Sequence, residues 1–350
     1  MRQWFGNLPL PYLVLETPWG RIAALILPWL DTELYSDRHG LVESILDALN
    51  MARRVGARTV TLAGLLPSAT DYGHAVTQAI GNRHDLPRIS TGHATTTSTV
   101  VMAIEKSLHA SGRDLASERV GFIGLGSIGA STLRLMLQCL PHPQDIMLCD
   151  VYGKRDVLAS LQREIVEERG FRGNVQVVTS TTGVPSAMYK ATLIVGATNA
   201  PEVLDILRVP PGTIIVDDSA PHCFNPALAV QRFRAHADIL FTEGGVLHSP
   251  QPINQLRYWH PEWAQVMQPV RGDADAASSP FEITGCVLSG LLSARFEELQ
   301  PTIGMVDAET CLQHYAALGG LGLQAAPLHC QDYVLPEELI RDFRGRFAND

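Results

Sequence analysis

The sequence predicts an α/β protein built on a doubly wound parallel sheet. Three observations lead there: short wholly apolar runs recur from Arg119 onward, the runs read as separated by helices, and a glycine-rich turn joins the first run to the helix that follows. The runs occupy residues 120–123, 146–149, 175–178, 193–195, 214–216 and 239–241. Strands covered on both faces read as unbroken apolar segments, whereas a half-exposed strand alternates.

The flanking segments have a different texture. Residues 12–16 and 21–27 alternate around Pro18-Trp19-Gly20, which predicts a hairpin that Pro28 ends. Leu41, Ile45, Leu46, Leu49 and Ala52 recur at helical spacing, Gly56 stops that helix, and residues 59–63 read as a strand. Gly64 and residues 67–70 break the pattern. A long helix is expected from His93 to His109, closed by Gly112. After Gly244-Gly245 comes a proline-rich loop, then an aspartate-, alanine- and serine-rich stretch between Gln265 and Pro280. Helices are expected at about 281–298 and 308–317. The expected division is therefore 1–115 and 251–350 as two parts of one substrate domain, with a nucleotide-binding unit, 116–250, inserted between them.

A chain of 350 residues, 46% hydrophobic and 18% charged, buries a sizeable core and suits two domains. The 27 basic against 36 acidic residues give a net charge of -9, which argues against nucleic acid as a partner. No stretch approaches the roughly 20 apolar residues of a membrane span. The N-terminus lacks the charged-then-apolar order of a signal peptide, so the expectation is a cytoplasmic protein. Cysteines at 139, 149, 223, 286, 311 and 330 form no CxxC pair, and their spacing argues against a structural zinc site or a disulfide framework. No metal is expected, and most of these thiols read as core.

Gly124-Leu125-Gly126-Ser127-Ile128-Gly129 follows the first apolar run directly and opens a helical pattern. In such a turn the first glycine permits the tight bend, the second lets a pyrophosphate approach the backbone, and the third lets helix and strand pack closely. The helix start adds unpaired N–H groups and partial positive charge. With strand, turn, helix and second strand in order, the region reads as a Rossmann-type dinucleotide site. Asp150 ends the second run, where a carboxylate accepts from ribose hydroxyls and disfavours a 2′-phosphate, so it favours NADH. Lys154 and Arg155 lie within reach of a phosphate, and a helix-capping role is the alternative for Asp150. Thr198 and the segment Asp217-Asp218-Ser219-Ala220-Pro221-His222 follow the fourth and fifth runs, where open α/β sheets bind ligands. Asp217 and Asp218 point to opposite faces if extended, and read as a solvated strand end. Gly244 and Gly245 follow the sixth run and allow close backbone approach to a nicotinamide.

These blocks, in this order, resemble the cyanobacterial long-chain fatty acyl-[acyl-carrier-protein] reductases, which form aldehydes from acyl thioesters. The matching segments are Leu27-Pro28, the helix ending at Ala57, Leu62-Ala63-Gly64, Thr91-Gly92 before a helix, the loop at 124–129, Gly244-Gly245-Val246, and Cys286 with its helix to Phe296-Glu297. The resemblance implies that Cys286 is an acylated nucleophile, that Thr91 and Gly92 belong to the substrate site, and that NADPH is the reductant, against the NADH that Asp150 favours; His93, where this chain departs from the family, either lines the substrate site or is a helix-starting histidine with no catalytic role. It implies an acyl thioester, carried on acyl carrier protein or coenzyme A, as substrate. A thiolate exchanges readily with such a thioester, and a helix start lowers a thiol pKa. Without the resemblance Cys286 lies on an apolar stripe and reads as core.

There are departures from the family. Thr91-Gly92 runs on as His93-Ala94-Thr95-Thr96, and Pro221-His222-Cys223 stands where the family has proline then lysine. His222 is a candidate proton donor, with a plain loop residue as the alternative. Cys223 is the rival nucleophile. Ser68, Thr70, Thr91 and Thr95 offer hydroxyls to an acyl carbonyl, and Arg53, Arg54, Arg58, Arg83 and Arg88 offer a basic patch to an acidic carrier, or are an ordinary solvated face. Competing readings are a shikimate-dehydrogenase-like oxidoreductase without covalent catalysis and a nicotinamide-binding redox sensor.

Overall fold

The computed structural model describes residues 8–30, 32–258 and 279–349. It comprises two compact units, each discontinuous in sequence: Met1–Thr95 with Leu247–Met305 and Gly320–Leu323, and Thr96–Val246 with Val306–Gly319 and Gln324–Asp350. The expectation that residues 251–350 all return to the first unit is corrected by this division. Within the second unit, Ser98 Oγ donates to the Cys311 carbonyl and Phe347 packs on Gly212. Most of the expected acidic stretch at 265–280 lies outside the described residues.

In the first unit the expected hairpin pairs Leu10–Thr17 with Gly20–Ile26, and Asn254–Arg257 adds a third antiparallel strand. Thr17 closes the turn: its hydroxyl accepts from the Trp19 and Gly20 N–H groups and donates to the Gly20 carbonyl. Helix Arg38–Arg54 is capped by Asp37, whose carboxylate accepts from Gly40 N–H, and its periodic residues Leu41, Ile45 and Leu49 are fully buried. Strands Thr59–Thr61 and Arg88–Ser90 pair in parallel. Helix Gly285–Arg295 lies on the first of them at Gly290, where a Cβ would sit 2.5 Å from Thr61 Oγ1. That helix starts later than residue 281, because Glu282–Thr284 forms a short strand. Helix His74–Ile80 follows the expected break.

The second unit contains one six-stranded parallel sheet, and its strands are the six expected runs. Its order across the sheet is Ile239–Glu243, Thr213–Asp217, Leu193–Gly196, Arg119–Ile123, Asp145–Val151, Asn174–Ser180. Numbered along the chain this is 6-5-4-1-2-3, the doubly wound Rossmann arrangement, whose order reverses between the first and fourth strands. Phe122, Leu148, Ile194, Ile215 and Leu240 are fully buried along its centre. Not every connection is helical. A short 3-10 turn, Ser186–Lys190, precedes the fourth strand, and an irregular segment holding Pro201, Pro210 and Pro211 leads to the fifth. Proline supplies no N–H to a helix and clashes with its preceding turn, so these connections stay open. Helix Glu337–Phe347, absent from the sequence reading, buries Ile340 and Phe343.

Candidate active site

The candidate residues fall in both units. In the second, the glycine loop spans the end of the first strand and the start of helix Ser127–Cys139. Gly124 has φ +84°, and a Cβ there would sit 2.5 Å from the Ala197 carbonyl oxygen and 2.9 Å from Thr198 Cα. At Gly129 it would sit 2.0 Å from the Gly124 carbonyl oxygen. Both positions exclude any side chain. The loop therefore lies against Ala197 and Thr198 where the strand order reverses, the place at which open α/β sheets bind ligands. The helix starts at Gly126 with no side-chain cap, and a helix start of this kind carries partial positive charge. Ser127 is buried, and Ile128 is partly exposed.

Asp150 does not cap the next helix, which Lys154 precedes without a side-chain cap. Its carboxylate instead accepts from Leu125 N–H at 2.8 Å, Val151 N–H at 2.7 Å and the Lys154 ammonium at 2.9 Å. It thus holds the glycine loop and a cation at one point. Thr198 accepts from Ala200 N–H and donates its own N–H to Ser219 Oγ. Gly244 and Gly245 pack on Asp218: a Cβ on Gly245 would lie 2.4 Å from its Oδ1. Desolvation, then the Asp217 and Glu243 carboxylates, pushes the Asp218 carboxyl well above the usual range.

Asp217 corrects the expectation of a solvated strand end. It is 2% exposed and accepts from Ser219 N–H at 3.2 Å, Cys223 N–H at 3.1 Å and His222 Nδ1 at 3.0 Å. The other ring nitrogen of His222 lies 3.5 Å from Glu243 Oε1 and 4.0 Å from Cys330 Sγ. With hydrogen bonds from Asp217 first, then Cys330 and Glu243, the imidazole is pushed up to about 12. Burial opposes ionisation of Glu243, but His222 and Gln331 N–H hold it charged and net below its ordinary value. From the sequence, Asp217 reads as solvated and Cys330 as one thiol among six, and Glu243 does not stand out. Cys223 is fully buried, and desolvation raises its thiol well above the ordinary value. Burial likewise pushes Cys149 and Cys311 up to about 12.

In the first unit, Cys286 is the second residue of helix Gly285–Arg295 and is partly exposed. Its apolar stripe is carried by Leu288 and Leu292, so the core reading does not hold. Cys139 is also partly exposed, but it ends a helix, where the dipole opposes a thiolate, and desolvation raises its thiol. Cys286 is thus the one thiol that is partly exposed and sits at a helix start. The Sγ lies 3.6 Å from Thr284 Oγ1. The fold also brings the Thr91-Gly92-His93 turn to it. Gly92 has φ +73°, and a Cβ there would meet Cys286 Cα at 3.0 Å and its carbonyl oxygen at 3.2 Å. Thr91 donates N–H to the Thr302 carbonyl. His93 is 6% exposed, its Nδ1 has no hydrogen-bond partner, and desolvation lowers its pKa to about 4 against a smaller opposing hydrogen bond to Gly304. Tyr72 meets its ring edge-on.

The arginine patch is largely compensated. Arg53 and Arg83 share Asp85, and Arg88 reaches the Ser293 carbonyl and Gln300. Ser68 bonds Tyr35, and Thr70 bonds backbone carbonyls. No helix among the described residues is long and apolar enough to cross a membrane.

No family model and no curated protein matches the chain. Solved structures that resemble it include L-tryptophan dehydrogenase from Nostoc punctiforme, at 14% identity over 93% of this chain and 75% of that one, with a TM-score of 0.40. The 5-ketofructose reductase of a Gluconobacter strain follows at 11% identity, 83% and 95% coverage and a TM-score of 0.29. The Δ1-pyrroline-2-carboxylate reductase of Thermococcus litoralis, solved with NADH and L-proline, matches at 18% identity with a TM-score of 0.28; the match covers 35% of this chain and only 36% of that one.

Proposed function

We propose that this chain is a nicotinamide-dependent oxidoreductase that reduces an acyl thioester, on acyl carrier protein or coenzyme A, to an aldehyde through a Cys286 acyl-enzyme. One observation carries the reading: the partly exposed thiol at a helix start is backed by the Thr91-Gly92-His93 turn. The dipole of the helix favours a thiolate, and the side-chain-free Gly92 leaves the backbone against Cys286.

In the acylation step the Cys286 sulfur forms a bond to the acyl carbon, the bond from that carbon to the carrier sulfur breaks, and the carrier thiol leaves with the proton that Cys286 gave up. A reduced nicotinamide, when bound, would supply the hydride that takes the acyl carbon to the aldehyde level. Cys286 then departs as thiolate and is reprotonated. The cradle at 124–129 fits such a cofactor: two positions that admit no side chain, an uncapped helix start, and Asp150 at the end of the second strand would hold pyrophosphate and ribose. Thr198 lies against Gly124, and Gly244 and Gly245 would allow close backbone approach to the nicotinamide. The Asp150 carboxylate favours the ribose hydroxyls of NADH over a 2′-phosphate. His222, engaged at both ring nitrogens, is given no proton transfer.

The test is intact-mass analysis of the full chain after exposure to a panel of acyl thioesters without nicotinamide. One added acyl group, lost in Cys286→Ser and retained in Cys223→Ser, is the expected result. Acylation that survives Cys286→Ser overturns the assignment. Turnover of keto acids without any acyl-enzyme favours a shikimate-dehydrogenase-like reaction instead, and cofactor binding without turnover favours a sensor.

A further inference from the structure

We propose that His222, Glu243 and Cys330 form a binding site for a divalent transition-metal ion, with zinc the best fit, at the carboxyl end of the six-stranded sheet. Each offers one donor atom, and the three donor atoms lie within 4.8 Å of one another. Separations of 3.5 Å for nitrogen to oxygen and 4.0 Å for nitrogen to sulfur are close to the edges of a tetrahedron whose metal bonds are about 2.0–2.3 Å long. A set of imidazole, carboxylate and thiolate suits a borderline-soft ion such as zinc rather than magnesium or calcium.

The surroundings fix the ligands as a metal site requires. His222 Nδ1 faces the buried Asp217 carboxylate at 3.0 Å, so that nitrogen carries the proton and Nε2 is directed at Glu243 and Cys330. A carboxylate behind a histidine is the usual orienting partner of a zinc ligand. His329 repeats the pattern. Its Nδ1 lies 2.8 Å from the Pro327 carbonyl oxygen, which can only accept, so its Nε2 is the free-pair nitrogen, 3.8 Å from the second Glu243 oxygen. It is the nearest further donor for a fourth position. Two imidazole nitrogens and a thiol directed at one carboxylate converge on a point that a cation satisfies together. A groove of about 730 Å³, lined by Cys330, Gln331 and Tyr333 and one face of helix Pro226–His236, gives an entry path. The ligands come from the loop after the fifth strand, the end of the sixth strand and the His329–Cys330 strand of the C-terminal hairpin, so the ion would pin that hairpin to the sheet.

The site is independent of Cys286, and its test does not use acyl transfer. The full chain, stripped with chelator, is loaded with one equivalent of zinc, desalted and assayed by plasma mass spectrometry; a second sample takes cobalt. Expected are one retained zinc per chain and a cobalt spectrum with a thiolate charge-transfer band and strong tetrahedral d–d bands. Cys330→Ser and Glu243→Gln should each weaken retention roughly 10- to 100-fold or more, while Cys286→Ser retains the metal. The wild-type cobalt spectrum decides the matter even where a variant fails to fold. No retained metal in the folded wild type, retention unchanged in Cys330→Ser, or a cobalt spectrum without the thiolate band overturns the proposal and leaves a plain hydrogen-bonded cluster.

Discussion

At the scale of single residues, steric exclusion gives the sharpest expectations. Gly129→Ala places a Cβ on the Gly124 carbonyl, a backbone group that does not yield cheaply, with the Ala197 Cβ also close. Nicotinamide affinity, measured by fluorescence titration, should fall at least tenfold while Cys286 still acylates. Gly92→Ala adds both a left-handed φ and a 3.0 Å contact to Cys286 Cα. A cost of about 1–2 kcal/mol from the backbone alone is expected in chemical denaturation, with slower acylation because the helix start shifts. Asp150→Asn removes the charge that opposes a 2′-phosphate and frees Lys154. The ratio of kcat/KM for NADH over NADPH should drop roughly tenfold, equivalent to about 1.4 kcal/mol. An unchanged ratio would remove Asp150 from the ribose site.

At the scale of elements, buried histidines in two helices set a dependence on pH. His93 begins helix His93–Ser111, and His314 lies in helix Ala308–Gly320 at 1% exposure; desolvation holds each near pKa 4 against an ordinary 6.5. The folded pKa lies below the unfolded one, so the unfolded chain binds more protons between those values. Their stability contribution is therefore complete above pH 6.5 and is lost as pH falls toward 4, about 2 kcal/mol for each between pH 7 and 5. Denaturant melts of wild type and His314→Gln at those two pH values should show it: the variant should lose about 2 kcal/mol less than wild type between pH 7 and 5, while His222, whose pKa is raised, contributes with the opposite sign in both. Helix Arg38–Arg54 supplies a separate element test: Asp37→Ala removes the cap on Gly40 N–H and should cost about 1 kcal/mol.

At the scale of the whole molecule, the chain leaves and re-enters both units, so the C-terminal residues are part of the unit that holds the six-stranded sheet. Phe343 is fully buried there. Phe343→Ala should destabilise by about 3–5 kcal/mol, and hydrogen exchange should report the lost protection in the second unit's strands rather than in the Leu10–Ile26 hairpin.

Local physics made much of this fold legible beforehand. Unbroken apolar runs specify doubly covered strands, Gly124 and Gly129 specify a turn that no side chain fits, and a helical stripe with Gly56 behind it specifies a helix and its end; each of these rests on interactions within a few residues. Helix Glu337–Phe347 was missed because it buries only Ile340 and Phe343 along a charged segment, too few positions to show a period. The open connections around the fourth strand were misread as helices although their prolines argued otherwise. Cys286 illustrates the limit from the other side: its apolar neighbours read as core, and only the placement of the helix showed that Leu288 and Leu292 take the interior while the thiol stays reachable.

The sequence alone thus determined the parallel sheet, its strand succession and the glycine turn, because backbone sterics and hydrophobic period act over short distances along the chain. Tertiary structure alone decided that Asp217 is buried and satisfied, that Gly92 meets Cys286, and that His222, Glu243 and Cys330 share one point. Those meetings join residues up to 194 positions apart in the numbering, and they follow from the order of strands across a sheet, a property that no local window contains.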